Sequence, residues 1–347
     1  TGKTGSVIVQ TVGSGFVVTV NCIDDEWNKV TIANPDVTIT STDSNAIITP
    51  NPAQLVNGAR SFNVTFKTTG ARTITATDTS ASPTYTVNTS PSIIANTSGA
   101  VKLQLLLPGE TAAPGSGTGY SGSATAQTTG TAFTVTVICF DTYWNIVTDA
   151  NPGVRVETSD PYDTHPQGTL ANGTITLNST LLTALSTILT AKDVDVTPPL
   201  YNDYAHSAIT VNPNTAVKLQ VLAPGETASA GNTGAGGFTG SASIRTAGTQ
   251  FTVTVNCVDA YWNINPAANP AVTVSTQDPN DTEPGSATLS AGTRTYNITF
   301  KTGGTSTVTA TDTDGVAPTY TIYNHSALSI NPGSATKLQI ILPGETA

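Results

Sequence analysis

The chain contains no methionine, not even at position 1, so it is expected to be a processed or excised product. Positive charge is equally scarce. Thirteen Lys and Arg stand against 23 Asp and Glu, a net charge of -10. A chain with no basic patch to displace counterions is not expected to hold nucleic acid or to lie on an anionic membrane. No apolar run approaches the roughly eighteen residues of a membrane span, and no charged-then-apolar leader is present, so no membrane insertion is expected. Three cysteines are too few for a disulfide scaffold. What is abundant is threonine, with 30 Gly and 21 Pro as punctuation. Such a composition specifies many short strands joined by turns, over a length sufficient for two or three domains.

Three motifs recur in step. "FVVTVNCIDDEWN" begins at Phe16, "FTVTVICFDTYWN" at Phe133 and "FTVTVNCVDAYWN" at Phe251, 117 and 118 residues apart. "TITATDT" at Thr73, "ILTAKDV" at Ile188 and "TVTATDT" at Thr307 form a second series. A third is "KLQLLLPGETA" at Lys102, "KLQVLAPGETA" at Lys218 and "KLQIILPGETA" at Lys337. A fixed period identifies the repeating unit, here about the size of one β-sandwich. Within each unit the apolar period is two: Phe133, Val135, Val137 and Cys139 share one strand face, and Thr134, Thr136 and Ile138 the other. Leu103, Leu105 and Leu107 likewise share a face. Each unit is therefore expected to be about seven antiparallel strands in two packed sheets, with the "KLQ" segment as the first strand.

The run from "KLQ" through "TAGTQFTVTVNCVDAYWN" to "ATLSAGTRTYNITFKTGGTSTVTATDT" resembles the tandem bacterial immunoglobulin-like (Big, invasin-like) repeats of large secreted surface proteins and adhesins, over essentially the whole chain. The resemblance implies an all-β fold of three tandem immunoglobulin-like β-sandwich domains in an extended linear array. It also implies an extracellular or cell-surface location and a spacer, stalk, fibre or adhesive role. The units are expected at 1–99, 100–216 and 217–334, with an orphan strand over 335–347. A Gly/Ser/Thr-rich insertion after the first strand, for example 113–130, departs from the compact form of such repeats.

Candidate chemistry is sparse. Cys22, Cys139 and Cys257 occupy one inward strand position in separate units, so they cannot pair and are expected to be buried and reduced. Trp27, Trp144 and Trp262, five residues on, are expected to plug a loop. "TGKTGS" at the start lacks the upstream glycine and strand–loop–helix setting of a phosphate loop. Asp24, Asp141 and Asp259 at one strand end, and Asp78, Asp193 and Asp312 at another, suit turn capping better than the six to eight oxygens of calcium, so no cofactor or metal is expected. A lysine crosslink at Lys67 and Lys301 is disfavoured by Leu182 in the middle unit. Three histidines offer no nucleophile's partner set, and no enzyme is expected. The Asn-x-Ser/Thr sequons are no more numerous than composition yields by chance, although the high Thr content of outward faces is compatible with O-linked glycans.

The two ends suggest how the chain is used. The first unit begins after its opening strand should have been laid down, leaving a groove beside Phe16, Val18 and Val20. The last segment supplies one surplus strand whose Leu338, Ile340 and Leu342 share a face, with Gln339 expected to face solvent. Three domains laid end to end put the termini roughly 100 Å apart, whereas thirteen residues reach at most about 45 Å. The expectation is therefore a structural subunit whose partner is itself: a head-to-tail extracellular filament joined by strand donation. The alternative is a segment of a giant repeat adhesin or stalk whose insertions after Gly109 and Gly225 present ligand-binding loops.

Overall fold

A computed structural model describes residues 2–346. Thr1 and Ala347, the outer limits of the expected first unit and tail, lie outside the described residues. The fold is all-β and of immunoglobulin-like sandwich type, with one three-residue 3₁₀ turn, Thr233–Ala235, as its helical content among the described residues.

The middle repeat displays the complete pattern. One sheet runs Lys102–Leu106, Phe133–Phe140, Thr174–Ser179, with Leu103 opposite Cys139 and Leu105 opposite Val137. Facing it is a four-stranded sheet in the order Gln167–Thr169, Gly153–Thr158, Leu189–Asp193, Tyr204–Ala205. The alternation of large apolar and threonine side chains puts Val135, Val137 and Cys139 into the space between these sheets, where they meet Val154, Val156, Leu189 and Ala191. The third repeat reproduces this with Lys218–Leu222, Phe251–Val258 and Thr293–Ile298, over a core of its own.

The pattern is not wholly antiparallel, nor confined to two sheets. A third small sheet pairs Gln127–Thr128 parallel to Ile209–Asn212, and the third repeat does the same with Arg245–Thr246 and Leu328–Asn331. The cause is a left-handed glycine after each short strand, Gly130 (φ +70°) and Gly248 (φ +83°). It turns the chain out of one layer before the long central strand begins in the other.

The insertion folds as a hairpin, Glu110–Ala112 against Tyr120–Gly122, and caps the outer side of the first strand. Leu106, Ile138 and Phe140 thus form a second, smaller core with Tyr120 and Trp144, although the period of two assigned Ile138 to the outward face. A hairpin laid over a sheet buries both of its faces, and the local pattern of one strand does not report such a cover.

Candidate assembly site

In the first repeat the long strand Gly15–Asn21 pairs with Ala59–Thr65 on one side only. Among the described residues no strand pairs at the position held by Lys102–Leu106 and Lys218–Leu222 in the other two repeats. The consequence is graded exposure. Val135, Val137, Val253 and Val255 are fully buried, whereas Phe16, Val18 and Val20 are only partly covered. Cys22 keeps 6% of its surface, against 0% for Cys139 and Cys257.

The matching segment lies at the other end. Residues 332–346 form no strand, and Leu338, Ile340 and Leu342 are 102%, 86% and 60% exposed. Their sequence equivalents Leu103, Leu105 and Leu107 are 1%, 0% and 3% exposed inside the middle repeat. The structure thus places the six expected interface residues in two separate places and does not bring them together.

The internal repeats define what such a strand touches. Lys102 lies over the Trp144 ring at 3.2 Å and Lys218 over Trp262 at 3.4 Å, while among the described residues no cation lies over Trp27, which is 45% exposed. Gln220 accepts a hydrogen bond at 3.0 Å from Nδ2 of its cross-strand partner Asn256, whose counterpart in the first repeat is the exposed Asn21. Gln104 and Gln220 are fully buried. The outward position, Gln339, was expected to be solvated in a docked strand. Its equivalents in the two internal repeats lie under the hairpin, whereas Gln339 itself is exposed.

Two polar features escaped sequence reasoning. Two of the three "PGETA" glutamates meet a buried histidine, Glu110 with His206 at 2.9 Å and Glu226 with His325 at 2.7 Å, which ties the hairpin to the sandwich. Both histidines stand three residues before the closing strand, and that shared position was the available signal; Ser90 takes it in the first repeat. The second feature is the "DxxWN" turn. Asp141 and Asp259 cap their own turns as expected, accepting from the Asn145 and Asn263 backbone at 2.9 Å. They also hold those asparagine side chains against the preceding repeat. Asn145 Nδ2 donates to the Lys67 carbonyl and its Oδ1 accepts from the Thr69 N–H, both at 2.9 Å. Asn263 makes the same two bonds to Leu182 (2.8 Å) and Ala184 (2.7 Å). Nor do the tips of the insertions project freely: Gly115 sits against Thr68 and Asn45, and Gly231 against Thr183 and Tyr162, of the repeat before.

No family model matches the chain, and no curated protein matches it. Among solved structures it is similar to invasin, a bacterial integrin-binding protein, at 14% identity over 92% of this chain and 60% of that one, with a TM-score of 0.27. It is similar to Escherichia coli α2-macroglobulin at 12% identity over 94% and 32%, TM-score 0.35. A glycosyl hydrolase family 2 member from Bacteroides cellulosilyticus aligns at 13% identity over 58% and 23%, TM-score 0.26. The chain spans less than two thirds of each of these proteins. The fold assignment rests on the strand order described above. Among the described residues no helix is long and apolar enough to cross a membrane.

Proposed function

We propose that this chain is a structural, non-catalytic subunit of an extracellular filament in which residues 337–342 of one copy complete the first repeat of the next. One observation carries the reading: the segment that completes the second and third sandwiches occurs a third time as an exposed tail, and the first sandwich has the vacant edge. By analogy with the internal registers, Leu338 would lie opposite Cys22, Gln339 opposite Asn21 and Ile340 opposite Val20. Lys337 would then cover Trp27. Glu345 would meet Ser90 in place of a histidine, so this closure lacks the buried Glu–His pair of the other two.

Both defects are costly in isolation, since an open sheet edge and an unpaired apolar strand each invite association. Burying three aliphatic side chains supplies roughly 5 to 8 kcal/mol, less the cost of ordering the tail. A contact between unlike ends does not close on itself and yields a linear array. The internal junctions, which make the same contact within one chain, favour a second reading: a stretch of a longer repeat stalk in which the donor and acceptor are neighbouring domains. Intact mass of boiled native material separates the two. A mass near 35.4 kDa fits separate subunits, and a much larger one fits a continuous polypeptide. Deleting residues 335–347 tests donation itself: chains that still elongate normally would exclude it.

A further inference from the structure

The two internal junctions are built from the same two parts, and each part recurs alone at an end of the molecule. The first part is the "DxxWN" turn. In the first repeat it is already set: Asp24 Oδ1 accepts from the Glu26 N–H at 3.1 Å and the Asn28 N–H at 2.8 Å, and Asn28 Nδ2 donates to Asp24 Oδ2 at 3.1 Å. Trp27 takes the same left-handed conformation (φ 70°) as Trp144 (65°) and Trp262 (69°). Asn28 is exposed, whereas Asn145 and Asn263 are buried against a neighbour.

The second part is the loop that receives the asparagine. In the first two repeats a buried aspartate pins it. Asp43 accepts from the N–H groups of Lys67 (2.7 Å) and Thr68 (2.9 Å), and Asp160 from those of Leu182 (2.6 Å) and Thr183 (2.8 Å). The following carbonyl and N–H then point at the next repeat. In the third repeat Asp278 holds Lys301 (2.6 Å) and Thr302 (2.8 Å) in the same way. The Lys301 carbonyl and the Gly303 N–H occupy the positions that grip Asn145 and Asn263 elsewhere. A socket accompanies the loop. Gly13 and Gly130 lie under the Tyr143 and Tyr261 rings, with no room for a Cβ, while Gly248 has open space above it.

We infer that Asn28 of one copy clamps the Lys301–Thr302–Gly303 loop of a second copy, donating to the Lys301 carbonyl and accepting from the Gly303 N–H, with Asp24 also receiving the Gly333 N–H. The last contact follows the Ser98–Asp141 and Asn214–Asp259 bonds of the internal linkers. This inference rests on the head-to-tail reading and adds to it a second, polar contact that orients one copy on the next. Both halves are held before they meet, so little side-chain freedom is lost on docking. The junction differs from the internal ones at one point: Glu26 stands where Tyr143 and Tyr261 fill the glycine socket. It is therefore the weaker contact, and the one that can be made and broken between molecules.

The test compares full-length native chain with Asn28→Ala, Asn28→Asp and Glu26→Tyr by sedimentation velocity, alongside Cys22 protection by a synthetic peptide of residues 335–347. Loss of two neutral hydrogen bonds should weaken chain–chain association about 10- to 30-fold in Asn28→Ala. Asn28→Asp, which sets a second carboxylate beside Asp24, should weaken it at least as much. Glu26→Tyr should tighten association about fivefold or more by filling the Gly248 socket. The peptide lacks the clamp loop and should protect Cys22 equally in all four chains. Peptide protection with unchanged association in the Asn28 variants overturns the clamp and leaves strand donation standing. No protection by the peptide, or no self-association of the native chain, overturns both.

Discussion

Ile340→Asp separates strand donation from any looser contact between ends. In the internal repeats the corresponding residues, Leu105 and Val221, are fully buried opposite Val137 and Val255, whereas Ile340 is 86% exposed. The substitution therefore leaves the isolated chain unstrained and acts only on the docked state. Docking the native tail buries Leu338, Ile340 and Leu342, at about 1.5–3 kcal/mol for each aliphatic side chain. The variant forfeits one such share, about 2 kcal/mol, and carries a carboxylate into a space lined by Val20 and Phe62, at a cost of several kcal/mol more. Together these offset most of the docking energy. At about 1.4 kcal/mol per decade, association should fall by roughly a thousandfold or more.

The readout is built into the acceptor. Leu338 would lie opposite Cys22, the most accessible of the three thiols, so docking should slow its alkylation. Native chains at filament-forming concentration should protect Cys22 and sediment as long species, and Ile340→Asp chains should do neither. Ile340→Val, a loss of one methylene, should cost only about 0.5–1.5 kcal/mol and assemble. Normal filaments from Ile340→Asp, or equal Cys22 reactivity in assembled and dispersed material, would refute the docked register.

Other outcomes follow from single sites. Burial pushes the Cys139 and Cys257 thiols up to about 12, so under native conditions both should resist alkylation on the timescale that modifies Cys22 in dispersed chains, and react on denaturation; rapid native labelling of either would contradict the packing. Asp24, Asp141 and Asp259 spend their oxygens on turn N–H groups and asparagine amides, so excess chelator should leave thermal stability and filament form unchanged; a large fall in melting temperature would place a cation there. Burial alone would raise the Asp278 carboxyl, but the Thr302 N–H and hydroxyl, with the Asn280 and Lys301 N–H groups, hold it down at about 2. A depressed folded-state value gives stability that is full above the unfolded value near 3.9 and is lost as pH falls toward 2, so Asp278→Asn should flatten the acid limb of third-repeat unfolding; an unchanged acid limb would contradict this.

What the sequence disclosed was what is periodic. Phe133, Val135, Val137 and Cys139 alternate along one strand, and the same alternation recurs twice, so strand, inward face and repeat length could be read directly. The vacant edge and the surplus tail emerged from counting copies of "KLQ". Chemistry that depends on tertiary neighbours stayed hidden. The period of two sent Ile138 outward, because nothing in its own strand reports the hairpin that covers it. Asn145 carries no sequence mark of its junction role, since that role is written in the carbonyl of Lys67, 78 residues earlier in the chain. A backbone acceptor leaves no mark on residue identity.

The positions where the first repeat departs from its siblings carry information of their own. Glu26 replaces a junction tyrosine, Ser90 replaces a buried histidine, and Asn88 stands where Tyr204 and Tyr323 face the indoles of Trp144 and Trp262. All three surround the open edge of the first repeat's long strand. The residues that would line a docked strand on its inward side, Phe16, Val18, Val20 and Cys22, keep the type found in the complete repeats. With the apolar groove present and the aromatic and ionic locks around it absent, a strand docked there as proposed would be held by less free energy than the internal junctions have. Restoring the locks one at a time, by Ser90→His and Asn88→Tyr, should lengthen the lifetime of the docked tail without changing its register. A variant that traps the tail less well than the native edge would show that these substitutions serve another partner.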